Sequence, residues 1–256
     1  ADQFRNAVKR ISEISGKMVK DEDLMEIISR TNEVRRLYRE FAELCLSAPI
    51  PPVASLEALI ACAATIEWAG DPAGVASVMK SVNGELRKRI ENGISPPGVS
   101  RNPVRLFGVG RAAIQPVYGL IDDFGGVIHG YEIFWTPFAF DVDEAGDPYE
   151  ALAVWCLERW PYSPSISIER RIDWLIEIFK RGNIEGTIIF DIWGCNWDPP
   201  LSRLLTDTIR EKAGIPSLIL TTCLPERDAN GSYKVSGQVR TRIEAFMEIL
   251  RLRKIN

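Results

Sequence analysis

Cys195 stands in the stretch Trp193-Gly194-Cys195-Asn196-Trp197, directly after the run Thr187 to Ile192. That run is rich in β-branched and aromatic residues, apolar enough for a strand buried on both faces. Pro199 and Pro200 suit the first turn of a following helix, where no amide donor is needed. Cys195 therefore falls in a strand-to-helix turn just beyond a strand's carboxyl end, where open parallel sheets place ligands. Trp193 and Trp197 flank the sulfur and can shield it from water. A lone cysteine is commonly a small apolar filler. The turn and its aromatics bring a chemical role level with that reading.

Other residues carry weaker signals. Glu132, Trp135 and Asp141 follow the second strand in an aromatic loop, Tyr131 to Phe140 and onward, that needs an apolar partner surface. Glu132 has the chemistry of an acid or base at the crevice, although a structural role is favoured. His129 is the only histidine, so any Ser-His or Cys-His relay must pass through it; no Gly-x-Ser-x-Gly elbow accompanies it. It reads as a strand-end histidine bonded to backbone, and one histidine with scattered cysteines does not make a zinc site. Gly108-Val109-Gly110 is a fragment of a dinucleotide fingerprint whose third glycine position holds Ala113, so it reads as a tight turn. Ser236-Gly237-Gln238 opens the last helix with free amides that favour an anion, and Arg240 and Arg242 add charge. Residue types alone favour an ordinary capped helix there.

The elements that position these residues follow from periodicity and punctuation. Residues 1–100 read as a helical region. A helix runs to Gly16, a second from Asp21 to Pro49, a third capped by Ser55 runs through Trp68, and Asp71-Pro72 starts a fourth to about Ile90. Asn92 to Asn102, rich in proline and glycine, is the expected domain boundary. Residues 101–256 alternate strands and helices: strands at Arg105–Val109, Gly126–His129, Thr187–Ile192 and Ser217–Thr221. Helices run to Phe124, from Asp147-Pro148 through Trp160, over Ile168–Lys180 and to Gly214. The terminal helix should pack through Val239, Ile243, Phe246, Ile249 and Leu250. Such alternation predicts an α/β domain with a four-stranded parallel, flavodoxin-like sheet of order 2-1-3-4, preceded by the helical region. The switch point of that order coincides with the Cys195 turn.

Composition bounds the rest. A chain of 256 residues with 46% hydrophobic content can bury a substantial core. Net charge of -4 argues against nucleic acid as a partner. No apolar run approaches the roughly 20 residues of a membrane span, and no signal-peptide pattern opens the chain. Five cysteines without a Cys-x-x-Cys pair suit a reducing cytoplasm. The first residue is Ala1 rather than Met, as expected of a processed, tagged or incomplete chain.

Three stretches carry a family resemblance. They are Glu185-Gly186-Thr187-Ile188-Ile189 leading into Trp193-Gly194-Cys195, Gly214-Ile215-Pro216 before an apolar strand, and Ser236-Gly237-Gln238-Val239-Arg240-Thr241-Arg242-Ile243-Glu244-Ala245-Phe246. With weaker similarity at Gly146-Asp147-Pro148 and in the Asn32–Glu40 helix, the chain resembles the 2-hydroxyacyl-CoA dehydratase and benzoyl-CoA reductase family. The resemblance implies a cytoplasmic subunit of an oxygen-sensitive iron–sulfur lyase that eliminates water from an acyl-CoA through a ketyl radical. It implies a [4Fe–4S] cluster with Cys195 as one ligand, and a capped helix at Ser236, Gly237 and Gln238 lending positive potential near the cluster or thioester. Implied partners are a homologous second subunit, an ATP-hydrolysing iron–sulfur activator and the acyl-CoA substrate. The alternatives are an aromatic acyl-CoA reductase subunit and a cluster-free partner subunit pairing through the loop around Trp135. The further cluster cysteines expected of the family have no match here. They would come from upstream sequence or another chain, unless the protein holds no cluster; the missing Met favours the first.

Overall fold

The computed structural model describes the chain except for residues 65–69, 111–115, 133–137, 160–166, 193, 195–198, 223–225, 228–229 and 256. Four helices come first: α1 (Asp2–Ser15), α2 (Asp21–Ser47), α3 (Ser55–Ala64) and α4 (Pro72–Glu91). Then follow β1 (Val104–Gly110), α5 (Pro116–Asp123), β2 (Gly126–Tyr131), α6 (Pro148–Val154), α7 (Ile168–Gly182) and β3 (Gly186–Ile192). The chain closes with α8 (Pro199–Ala213), β4 (Ser217–Thr222), a small β5–β6 pair (Glu226–Arg227, Tyr233–Lys234) and α9 (Gly237–Ile255). The main sheet is parallel throughout and ordered β2-β1-β3-β4, as the alternation predicts. β1 and β3 are central, and Leu106, Phe107, Val109, Ile188, Ile189 and Phe190 have no exposed surface. Each such side chain contributes about 1.5–3 kcal/mol of burial.

Local chemistry sets the helix boundaries. α1 stops at Gly16 in the left-handed conformation. Asp71 accepts from the Gly74 amide, and Asp147 from the amides of Tyr149 and Glu150, each cap contributing about 1 kcal/mol. The Gly146-Asp147-Pro148 stretch is thus a helix start. Beyond Val154 the helix widens into a π-helical turn over Trp155–Arg159. Ser55 is not the cap expected of it. It sits inside the first turn of α3, buried, its hydroxyl donating to Asp122 and accepting from the Ile128 amide, while Glu57 accepts from Ala54 N instead. Ser55 therefore joins α3 to α5 and β2. On α9, Ile249 is 53% exposed and Met247 takes its place in the core.

The helical region is bolted to the sheet through helix ends. Arg105 of β1 donates to the carbonyls of Ala48 (3.0 Å) and Leu46 at the end of α2, and to Gly182 O (2.7 Å) at the end of α7. His129 of β2 uses Nδ1 to meet Cys45 O at 2.9 Å. The last carbonyls of α2 are thereby satisfied by side chains from two strands, a favourable place for cationic and N–H donors. Burial drops the His129 pKa to about 3, so the ring is neutral and Nδ1 donates to the carbonyl. Farther along α2, Asn32 donates to Val142 O and accepts from Val142 N, and Arg36 and Arg39 bind Asp141. These contacts pin residues 138–144 against the Asn32–Glu40 stretch of α2. One apolar core contains side chains from α2, α3 and α4 together with the whole sheet. No helix among the described residues is long and apolar enough to cross a membrane.

Candidate functional site

The carboxyl ends of β1, β2 and β3 form one edge of the sheet, and the chain turns sharply there. Gly110 ends β1 at φ +77° and Gly194 follows β3 at φ +85°, conformations that favour glycine. Gly108 has a different purpose: a Cβ there would lie 2.7 Å from the Tyr131 ring and 3.3 Å from Phe190. The Gly-Val-Gly fragment is therefore one packing glycine and one turn glycine, which fits the tight-turn reading.

Glu132 lies at this edge, immediately after β2, with no exposed surface. Its Oε1 accepts from Arg171 Nε at 2.6 Å and its Oε2 from Arg171 Nη2 at 2.7 Å. Oε2 also accepts from the Gly110 amide at 2.8 Å. The carboxylate thus joins the β1 turn, the end of β2 and α7. A bidentate pair of this kind is directional and strong once desolvated. Arg171 escapes a reading of the sequence, although a signal exists: it shares the stripe Leu175, Ile178, Gly182 that α7 buries. A charged residue on an apolar stripe calls for a buried partner. Asp191 escapes it likewise. It is the only charged residue of β3, is 5% exposed, and accepts from the Ser202 hydroxyl on α8.

α9 runs antiparallel to the strands. Its Met247 and Leu250 pack on Gly126 and Gly186 at the amino ends of β2 and β3, so its start points to the carboxyl edge. Ser236 accepts from the Val239 amide at 3.3 Å, and Ser236, Gly237 and Gln238 are all exposed. The two arginines of this stretch are engaged elsewhere: Arg240 lies 5.1 Å from the Phe124 ring centroid, and Arg242 donates to Ile219 O. The anion-favouring element is the helix start itself.

Cys195, with Trp193 and Trp197, lies outside the described residues, as do Cys223 and Trp135. The other cysteines do not suit metal ligation. Cys45 and Cys62 are buried in the core, where desolvation raises both thiols, Cys62 to about 12. Cys62 also accepts from Tyr38 OH at 2.8 Å. Cys156 is partly exposed on the π-helical turn, its thiol raised by burial. Among the described residues no group of three or more His, Cys, Asp or Glu side chains could hold a metal ion. A cluster does not fit those residues alone.

A model of the family 2-hydroxyglutaryl-CoA dehydratase, D-component, matches residues 1–250. The chain belongs to that family. The match spans both the helical region and the sheet, and it agrees with the resemblance carried by the three sequence stretches. No curated protein matches the chain. Membership in the D-component family supports a dehydratase-type role and a CoA-linked substrate.

Proposed function

We propose that this chain is a subunit of an iron–sulfur 2-hydroxyacyl-CoA dehydratase in which Cys195 donates one thiolate to a [4Fe–4S] cluster. The family match over residues 1–250 carries the reading. The sheet order supports it, because the turn that contains Cys195 leaves β3 beside the β1 turn, at the switch point. A bound cluster would supply the one-electron reduction that lets the hydroxyl group leave a 2-hydroxyacyl-CoA as water. The other thiolates come from outside the described residues, from elsewhere in the full protein or from a homologous second subunit. An ATP-hydrolysing iron–sulfur activator is the partner that such an electron supply requires.

The chain's own residues would prepare the crevice. Glu132 acts as a positioning carboxylate, holding the Gly110 turn and Arg171 in register. The capped start of α9, Ser236 to Gln238, turns the positive end of a helix towards the edge where a cluster or the thioester oxygen, as it gains negative charge on reduction, would sit. The deciding experiment is anaerobic purification of the full-length protein, with iron, acid-labile sulfide and the visible thiolate–iron absorbance measured. Wild type is expected to hold iron and Cys195→Ser to lose most of it. Equal iron in the two proteins removes Cys195 from the ligand set.

A further inference from the structure

We propose that the outer edge of β4 is a self-pairing surface, fitted to the same edge of a second copy of the chain, and that Arg242 keeps it closed. β4 is the last strand in the order β2-β1-β3-β4, and no strand among the described residues pairs with its other side. Thr187 N donates to Pro216 O. Backbone groups alternate in direction along a strand, so those of Leu218 and Leu220 also face β3, while those of Ser217, Ile219 and Thr221 face outwards. The central outward carbonyl, Ile219 O, accepts from Arg242 Nη2 at 2.5 Å.

The helix α9 carries this side chain along the edge. Arg253 donates to Gly214 O just before β4. The 242–253 separation on a helix and the 214–219 separation on a strand each span about 16 Å, so α9 follows β4 in step. Ile249 and Leu252, 53% and 56% exposed, lie between the two arginines along α9 and add apolar surface beside the edge. The strand itself reads Ser217-Leu218-Ile219-Leu220-Thr221-Thr222, with no charge, proline or glycine, the composition that pairs strands between chains. Its edge is blunted from outside, by the arginine of a neighbouring helix. An antiparallel pair centred on Ile219 satisfies two-fold symmetry, because each copy offers the same outward donors and acceptors. Arg242 opposes that pair in two ways. Its guanidinium occupies the acceptor that the second copy's amide needs, and pairing would bring two Arg242 side chains together across the axis, like charge against like.

The test is sedimentation velocity of the full chain over a range of concentrations, with circular dichroism as the check of folding. Arg242→Met keeps an aliphatic side chain and removes the donor and the charge. Its self-association constant is expected to exceed that of wild type roughly tenfold or more, since one hydrogen bond from a charged donor no longer competes in each copy. The second arm is Thr221→Pro in the same background. Thr221 is exposed and its amide faces outwards, so proline there removes an edge donor and spares the β3–β4 ladder. The double variant should return to wild-type behaviour. If Arg242→Met does not fold, Arg242→Gln, neutral and still polar, carries the same comparison. A folded Arg242 variant that associates no more than wild type overturns the proposal. So does extra association that Thr221→Pro leaves in place, because another surface then makes the contact.

Discussion

Glu132 shows how much a single residue's meaning depends on its neighbours. In the sequence it is an acid-or-base candidate beside an aromatic loop; in the fold both its oxygens receive N–H donors from Arg171 and Gly110. Removing one member of a buried pair leaves an uncompensated charge, so Arg171→Met should cost about 3–5 kcal/mol in urea unfolding. Adding Glu132→Gln, which still accepts from the Gly110 amide, should recover a large part of that loss. The pH–rate profile of Glu132→Gln alone separates position from proton transfer: the wild-type shape is expected, and loss of one limb would assign Glu132 a proton. Two other buried groups oppose each other in acid. His129 is held by burial at about 3, below its ordinary 6.5, so between those values the unfolded chain takes a proton that the folded chain refuses. Its contribution to stability falls as pH drops through that window. Asp122 is raised by burial from 3.8 to about 6, despite its bonds from Ser55, so between those values the folded chain holds the extra proton. Its contribution falls as pH rises. In His129→Asn the side-chain amide can still donate to Cys45 O and no longer titrates, leaving Asp122 unopposed. That variant should gain stability as pH falls from about 6 to about 4, relative to wild type, when urea midpoints are compared across the range. A parallel loss in both proteins would refute the His129 assignment.

At the scale of elements, legibility follows the range of the interaction. Helix starts at Asp71 and Asp147, and stops at Gly16 and Gly214, depend on amides within a few residues, and sequence alone locates them. The four strands are legible because β-branched runs alternate with amphipathic helices, and their order follows from parallel connection rules. What stays hidden is set across large separations. Ser55 reads as a cap because caps are local, yet its partners Asp122 and Ile128 lie on other elements. Arg171 and Glu132 are 39 positions apart, so neither advertises the other. Gly182 belongs to the same class, a residue whose size is dictated from α2. A Cβ there would stand 2.3 Å from Leu46 Cδ1 and 2.9 Å from its Cγ, where the ends of α2 and α7 meet under Arg105. Gly182→Ala should therefore destabilise by about 1–3 kcal/mol through overpacking, against the usual gain of replacing a helical glycine. Combining it with Leu46→Ala should cost less than the sum of the two single changes, and additive losses in thermal unfolding would show that the helix ends do not meet tightly.

The whole molecule poses the question of what residues 1–100 do for the α/β part. The stretch 92–102 marks a change of architecture, but the contacts that cross it are those of an interior. Tyr38, Phe41, Cys45 and Leu46 of α2, and Ala58 and Cys62 of α3, lie in the same apolar cluster as Leu106, Ile128 and Tyr131 of the sheet. Arg105, His129 and Tyr131 each donate from a side chain to a carbonyl of the helical region. Residues 101–256 alone would expose that face of β1 and β2, leave the buried His129 ring without its Cys45 acceptor, and leave the half-buried Arg105 with Gly182 O but without Ala48 O and Leu46 O. We predict that the two segments unfold together. Urea denaturation of the full chain should show one transition by far-ultraviolet circular dichroism and by tryptophan fluorescence, with coincident midpoints, as cooperative units do. A fragment of residues 101–256 should lack that transition unless residues 1–100 are supplied in trans. Two separated midpoints, or a cooperative melt of the isolated α/β segment, would instead make residues 92–102 a boundary between independently folding domains. On the cooperative outcome, the Arg105 and His129 caps make α2 part of the framework that holds β1 and β2 in place.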